Sequence, residues 1–132
     1  MLPSGRVSRM EIQSMKMAQK AKELVQSVKG NKEDYLRFAR GLGSMIVQNG
    51  LAGTLVFLKQ KKQNELIEHL KQLTKLQTGS DELISALVDS KNVVDSSSAH
   101  NYLRTQSAVL ESTKWLKRYA EIILGSESNE HT

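Results

Sequence analysis

The stretch GSMIVQNGLAGTLVFLKQKK, residues 43–62, decides the fold of this chain. Asn49 and Gly50 interrupt an apolar helical pattern, and a glycine at such a point is typical of a left-handed helix end. The helical spacing then resumes at once, with a stripe made of Leu51, Leu55 and Leu58. A run of lysines follows this stripe. The sequence therefore predicts two helices that meet in a tight corner.

The rest of the chain also predicts an all-α fold. It contains one proline, no sustained alternation of apolar and polar residues, and long segments with helical spacing. At 132 residues it fits one domain that can bury a core without disulfides or metals. We predict a compact single-domain helical bundle of about five to six helices with a long C-terminal helix. Residues 1–7 form a flexible N-terminus, 8–124 the bundle and 125–132 a disordered acidic tail in this interpretation.

Capping residues predict where the helices begin and end. Ser8 and Glu11 have capping-box spacing, Gly30 is suited to end the first helix, and Asn31 is suited to cap the second. No strong breaker lies in 59–64, so the pattern leaves open whether the third helix continues through 65–77. Further segments follow in order: a helix end at Gly79, a short helix capped by Ser80 and running to about Asp89, a mobile loop over 90–98, and a last helix over 99–124 that ends at Gly125.

Apolar residues at helical spacing predict the core. Gly41 and Gly43 weaken the second helix and permit a bend or a close helix contact. Trp115 and Tyr119 lie four residues apart on the apolar side of the last helix, which favours core anchors over base-stacking platforms. The predicted core includes Met17, Ala18, Ala21, Leu24, Val25, Val28, Tyr35, Phe38, Leu42, Met45, Ile46, Leu66, Ile67, Leu70, Leu73, Leu76, Leu83, Ile84, Leu87, Val88, Tyr102, Val109, Trp115, Leu116, Tyr119, Ala120 and Ile123.

The composition restricts the chemistry and the compartment. The chain has no cysteine, which excludes disulfides, thiolate metal sites and thiol nucleophiles, so a reducing cytosol is adequate. The N-terminal residues lack a signal-peptide core, and no run of about 18 apolar residues is present to cross a bilayer. We expect a soluble, cytoplasmic protein without a membrane partner.

The charge is basic and unevenly distributed. The whole chain carries 19 Lys and Arg against 14 Asp and Glu, a net charge of +5. Three of the acidic residues, Glu121, Glu127 and Glu130, lie in the last twelve residues, so residues 1–120 have a net charge of +8. This balance favours binding to phosphate backbones.

No catalytic, cofactor or metal site emerges from the sequence. The histidines His69, His100 and His131 lie in separate elements, and none has metal-ligand spacing. His100 could act as a general base in a small ribonuclease, but no second acid lies near it in the sequence. The paired carboxylates Glu33/Asp34 and Asp81/Glu82 fall in first helical turns, where the helix dipole explains them.

Basic residues are therefore the candidate functional residues. A first cluster follows the corner and contains Lys59, Lys61 and Lys62. A second shares the outer face of the last helix and contains Arg104, Lys114 and Arg118, with Lys117 at its margin. Glu111 lies on the same face, so a solvated, ion-paired surface is the alternative. Arg37 and Arg40 point away from the apolar stripe of the second helix, towards solvent or a partner.

Three blocks of the sequence resemble one known family. They are AQKAKELV at residues 18–25, MIVQNGLAGTLVFLK at 45–59 and TKWLKRYAEIIL at 113–124. In this order they resemble the small, non-catalytic subunit of type III-B CRISPR effector complexes, the Cmr complexes. The resemblance spans most of residues 10–124. Small subunits of the related type III-A complexes are the nearest alternative.

The resemblance implies a role as well as a fold. Such subunits are helical bundles that stack head to tail beside guide-bound backbone subunits and line the channel for single-stranded target RNA, without cutting it. The implied partners are the other Cmr subunits, including the backbone and large subunits, guide RNA, target RNA and copies of this chain. Lys59, Lys117 and Arg118 lie within the matching blocks. Met17 stands where the family has a basic residue, so Lys16 or Lys20 would have to supply the RNA contact of the first helix.

Two other hypotheses stand beside this one. A helical protein-interaction module would have the same composition, with its basic face solvated or bound to an acidic partner. A ribonuclease that uses His100 would lose activity on substitution of that residue. Convergence of the basic clusters on one continuous groove would favour the RNA-binding subunit over the interaction module.

Overall fold

This computed structural model describes residues 9–88 and 96–129, which contain five α-helices. The side chains of Met10, 96–100 and 126–129 are not among the described parts. The helices are α1 (Arg9–Gln26), α2 (Lys32–Gln60), α3 (Asn64–Thr78), α4 (Glu82–Val88) and α5 (Ser96–Asn129). The all-α bundle with a long C-terminal helix is thus confirmed.

Helix α2 doubles back on itself at Gly50. Gly50 has φ 80° and ψ 167°, a conformation open essentially to glycine alone. In a straight helix, Phe38 and Phe57 would lie about 28 Å apart along the axis. Their ring centroids are 6.0 Å apart, so residues 51–60 fold back along residues 32–49. The predicted corner is confirmed. Its glycine has a positive φ as predicted, but its ψ lies near 180° rather than at the left-handed helical value.

Side chains of α5 cap the new helix that begins at this corner. The backbone N–H of Leu51 donates to Oε1 of Gln106 at 3.0 Å, and the N–H of Ala52 donates to the Tyr102 hydroxyl at 3.0 Å. The first N–H groups of a helix have no partner within it, so these bonds stabilise the restart. Tyr102 and Gln106 thus join the corner to the C-terminal helix.

Helix α5 is the central element of the bundle, since it packs against all four other helices. It approaches α2 closely at Gly43, where an added Cβ would lie 3.4 Å from Oγ1 of Thr113. The close helix contact predicted for this glycine is confirmed. The core contains residues from all five helices, and its largest fully buried side chains are Tyr35, Met17, Leu42, Ile46, Leu51, Leu55, Leu58, Leu66, Leu70, Leu73, Ile84 and Leu116.

Several predicted helix ends are confirmed. Oδ1 of Asn31 accepts the N–H of Asp34 at 3.0 Å and caps α2. Gly79 follows α3 in a left-handed conformation, with φ 85° and ψ −2°, and Oγ of Ser80 accepts the N–H of Glu82 at 3.1 Å. The question left open by the sequence is also resolved, because a turn separates Gln60 from Asn64.

The predicted end of α1 at Gly30 is wrong. Helix α1 ends at Gln26, and Gly30 does not have a positive φ. The carboxylate of Glu65, in the first turn of α3, accepts the N–H groups of Lys29 and Gly30 at 2.9 and 3.1 Å. This long-range contact satisfies the connecting backbone and makes a glycine cap unnecessary. The Ser8 cap lies outside the described residues.

The predicted bounds of the last helix are also wrong. Helix α5 begins at Ser96 rather than residue 99 and continues past Gly125 to Asn129. Gly125 is buried and its φ is not positive, so packing against the bundle keeps it helical. Residues 125–129 of the predicted tail are therefore helical, whereas 89–95 and 130–132 lie outside the described residues. A further correction concerns Leu76, predicted as core, which is 38% exposed at the edge of α3.

By length and composition alone, α2 could cross a membrane. Its chain doubles back at Gly50, however, and its N-terminal half contains Glu33, Asp34, Arg37 and Arg40. Nine of its residues are buried within the bundle. The apolar character of α2 is therefore explained by the core.

Substitution of Gly50 tests whether this corner determines stability. We expect Gly50→Ala to lower the free energy of unfolding by about 2–3 kcal/mol, because a Cβ is strained at this φ and ψ. Gly53→Ala is the matched control. Gly53 is exposed and helical, and its added Cβ would make only an ordinary contact with Asn49 at 3.6 Å. Urea denaturation should show that Gly53→Ala raises the free energy of unfolding by about 0.5–1 kcal/mol. Equal effects at both sites would contradict the role of Gly50.

Candidate nucleic-acid interface

The first predicted cluster lies in the turn between α2 and α3. The N–H of Gln63 donates to the carbonyl of Leu58 at 2.9 Å, and the N–H of Lys62 donates to that of Lys59 at 3.0 Å. These two bonds define a Schellman motif, in which the left-handed position usually holds glycine. Here it holds Lys62, with φ 58°, the one positive φ among non-glycine residues in the described chain. A lysine thus occupies a position where its backbone is strained.

The three lysines of this turn are exposed but differ in their contacts. Nζ of Lys59 donates to the carbonyl of Val88 at 2.9 Å and ties the end of α4 to α2. Nζ of Lys61 lies 5.7 Å from the centroid of the Phe57 ring. Lys61 and Lys62 line one recess of 320 Å³ between this turn and the start of α2, which the carboxylates of Asp34 and Glu65 also line. Lys61 and Lys62 are therefore the better placed for a ligand, and Lys59 also has a structural contact.

Arg37 and Arg40 extend this basic surface along α2. Both are exposed, as their positions on the helix predict. Arg37 forms an ion pair with Asp34 at 3.0 Å and places Cζ 5.2 Å from the centroid of Phe38. Nε of Arg40 lies 3.6 Å from Oε1 of Glu121 on α5. These exposed ion pairs contribute little to stability and leave donors for a further anion.

The second predicted cluster lies along the exposed side of α5. Arg104, Lys114, Lys117 and Arg118 are all exposed. Lys114 pairs with Glu111 at 3.3 Å, as the alternative of an ion-paired surface predicts. Arg118 places Cζ 5.2 Å from the ring of Trp115. Trp115 and Tyr119 are half-buried and pack against the core, which agrees with their interpretation as core anchors.

Contacts between α2 and α5 connect the two clusters. Phe38 and Phe57 join the turn lysines to Arg37, and the Arg40–Glu121 pair joins α2 to α5. A groove of 630 Å³ lies between the helices, lined by Ser44 on one side and by Glu111 and Lys114 on the other. We call this surface the basic strip; it consists of Arg37, Arg40, Lys61, Lys62, Lys114, Lys117 and Arg118.

The structure does not bring every predicted site residue into this strip. Lys16 and Lys20 line a separate recess of 200 Å³ with Gln19, Glu23 and Leu76, all from α1 and α3. Phe57 is a residue that the sequence reasoning missed. Its position just before the lysines was the available signal, because an aromatic among basic residues is common in nucleic-acid sites.

His69 is buried and serves the core. Its Nδ1 shares a hydrogen bond of 2.7 Å with the Tyr35 hydroxyl. Burial lowers the pKa of His69 to about 4, with Glu65 opposing and Lys20 reinforcing that change. Burial, together with the charge of Glu65, raises the pKa of Tyr35. The histidine is therefore neutral near pH 7 and packed in the core.

The other candidate chemistry is not assembled in the described residues. Among the side chains that the structure describes, no three from His, Asp or Glu lie close enough to hold a metal ion. The His100 side chain and the whole of His131 lie outside what the structure describes. The described residues thus form a helical bundle whose most distinctive surface is the basic strip.

Comparison with known proteins assigns this bundle to a class. The sequence model of a CRISPR-associated protein family (Cas_Cmr5) matches residues 13–123. The chain is also 43% identical over 127 residues to the CRISPR system Cmr subunit Cmr5 of Thermotoga maritima, covering 96% of this chain and 95% of that protein. No solved structure matches.

The chain therefore belongs to the Cmr5 family, the non-catalytic small subunits of type III-B CRISPR Cmr complexes. The resemblance seen in the three sequence blocks is confirmed. The match is to the type III-B family rather than to small subunits of type III-A complexes.

Substitution of Lys62 separates its backbone cost from its charge. We expect Lys62→Gly to raise the free energy of unfolding by about 1 kcal/mol, because glycine adopts this φ without strain. Lys61→Gly removes the same charge from a residue with φ −85°. It should instead lower stability by about 0.5–1 kcal/mol through lost backbone restriction. Thermal and urea denaturation of both variants would test this, and stabilisation by both would show that charge repulsion is responsible.

The buried histidine predicts a stability that depends on pH. The pKa of His69 is lower in the folded chain than the usual 6.5. The contribution of neutral His69 to the free energy of unfolding is therefore complete above about pH 6.5 and is lost as the pH falls towards 4. We expect the free energy of unfolding to decrease by about 1–2 kcal/mol from pH 7 to pH 5 through this residue. Subtracting the profile of His69→Gln isolates the effect, and identical profiles would contradict it.

Proposed function

We propose that this chain lines the path of single-stranded target RNA in a Cmr complex and binds its backbone through the basic strip. The observation that carries the proposal is the exposure of these cations on two helices that the Arg40–Glu121 pair joins. Arg37, Arg40 and Lys61 lie on the α2 side, and Lys114, Lys117 and Arg118 lie on α5. Several exposed cations on neighbouring helices suit a polyanion better than separate small ligands do.

The mechanism of binding is charge neutralisation. Lysine and arginine side chains that contact phosphates release counterions, which gives affinity without reading sequence. This property suits a subunit that has to accept any target chosen by base pairing with a guide. Cleavage belongs to other subunits, because the family is non-catalytic.

The proposed partners follow from family membership. The relative from Thermotoga maritima is by its name a subunit of a CRISPR Cmr system. We infer that this chain likewise assembles in the cytoplasm with the backbone and large subunits and with guide RNA, in antiviral defence. Head-to-tail stacking of copies is part of the proposal. Val47 and Leu103 are 74% and 65% exposed near the Gly50 corner and offer apolar area for such contacts.

Charge reversal on α5 tests the proposed role. A tagged chain would be co-expressed with Cmr backbone subunits and a guide RNA, and the recovered complex would be titrated with target RNA at several salt concentrations. Lys117→Glu plus Arg118→Glu should weaken target binding. The slope of log affinity against log salt should fall in magnitude by about 1.4, as expected for two lost contacts with a single strand.

Lys22→Glu plus Lys75→Glu is the matched control. It makes the same change in charge at exposed positions on α1 and α3, away from the basic strip. We expect it to leave the slope unchanged. Equal effects of the two variants would mean that only net charge matters. Failure of a well-folded wild-type chain to join any complex would contradict the assembly role and favour the separate interaction module.

A further inference from the structure

Two phenylalanines on the basic strip form a surface feature distinct from its charges. The rings of Phe38 and Phe57 lie 6.0 Å apart with an interplanar angle of 55°. Arg37 lies over the first ring at 5.2 Å and Lys61 over the second at 5.7 Å. These residues form a row across the two halves of α2, in the order Arg37, Phe38, Phe57 and Lys61. We call the two rings the Phe38–Phe57 platform.

The platform lies at the edge of the core, against which Phe38 packs. Both rings are half-buried, whereas Ala39, Leu42 and Leu58 on the same helix are fully buried. One face of each ring contacts an exposed cationic side chain, Arg37 on Phe38 and Lys61 on Phe57. Such a face is open to a flat ligand once the cation moves. The Gly50 corner creates this arrangement, because it brings together rings that are 19 residues apart in the chain.

We propose that the Phe38–Phe57 platform stacks against the bases of single-stranded RNA. A base takes the place of the guanidinium of Arg37 or the ammonium of Lys61 on its ring. The displaced cation then contacts the adjacent phosphate. Stacking and backbone neutralisation thus occur together, which is the common design of single-strand binding surfaces.

The chemistry of the platform also predicts what it does not do. Every base has a π-face, so aromatic stacking tolerates any sequence. No hydrogen-bond donor on the two rings can read a base edge. The platform therefore orients and splays a strand without selecting it. This inference rests on the proposed RNA-binding function and extends it from phosphates to bases.

Photo-crosslinking in the assembled complex tests this inference. Target RNAs would carry 5-iodouridine at successive positions, because this base forms crosslinks efficiently with aromatic side chains stacked on it. The complex would be irradiated and the crosslinked peptides identified by mass spectrometry. We expect crosslinks at Phe38 or Phe57. Phe57→Leu should reduce the yield about five- to tenfold, which corresponds to the loss of stacking with one base.

The outcomes distinguish this proposal from the one on which it rests. Met15→Leu, at an exposed apolar residue of α1, is the control and should leave the yield unchanged. Crosslinks to this chain only through peptides without Phe38 and Phe57 would overturn the platform and leave phosphate binding intact. No crosslink to this chain at any position would also overturn the platform, whereas the phosphate contacts are tested separately by the salt dependence of the Lys117→Glu plus Arg118→Glu variant. Circular dichroism of Phe57→Leu would confirm that its helices remain folded.

Discussion

The whole arrangement depends on the backbone of Gly50. A single residue in an extended conformation that other residues scarcely reach turns one apolar segment into two helices lying side by side. This reversal places the lysine-rich end of α2 beside its arginine-rich beginning. The packing of α2 in the core, the α2 part of the basic strip and the aromatic pair are all consequences of the same turn. A side chain on this residue would therefore affect stability and surface together.

The basic strip illustrates how a protein maintains many like charges on one surface. Asp34, Glu111 and Glu121 each pair with one of its cations at 3.0–3.6 Å. At exposed positions such pairs contribute little energy and are readily exchanged for phosphate. The carboxylates thus limit repulsion in the free protein without preventing binding. Lys62 adds a further cation to this surface at a cost in stability, since glycine would be more stable at its positive φ.

Local signals in the sequence predicted much of this fold because they act through neighbouring residues. The Asn31 cap, the Gly79 end and the corner at Gly50 are all short-range features. The errors arose where distant residues decide the outcome. Glu65 replaces a glycine cap at Gly30, and packing holds Gly125 within α5. The basic residues of the site could likewise be named from charge and helical position, whereas the partnership of Phe38 with Phe57 depends on the reversal of the chain.

The caps on the corner have a consequence for synthesis of the protein. Tyr102 and Gln106 lie 50 and 55 residues downstream of the N–H groups that they satisfy. A nascent chain that has emerged only as far as α4 lacks both partners, so its corner is exposed and poorly fixed. Contacts of such long sequence separation are slow to form, because a large loop must close first. The capped corner of α2 is therefore complete only after the C-terminal helix has left the ribosome and docked.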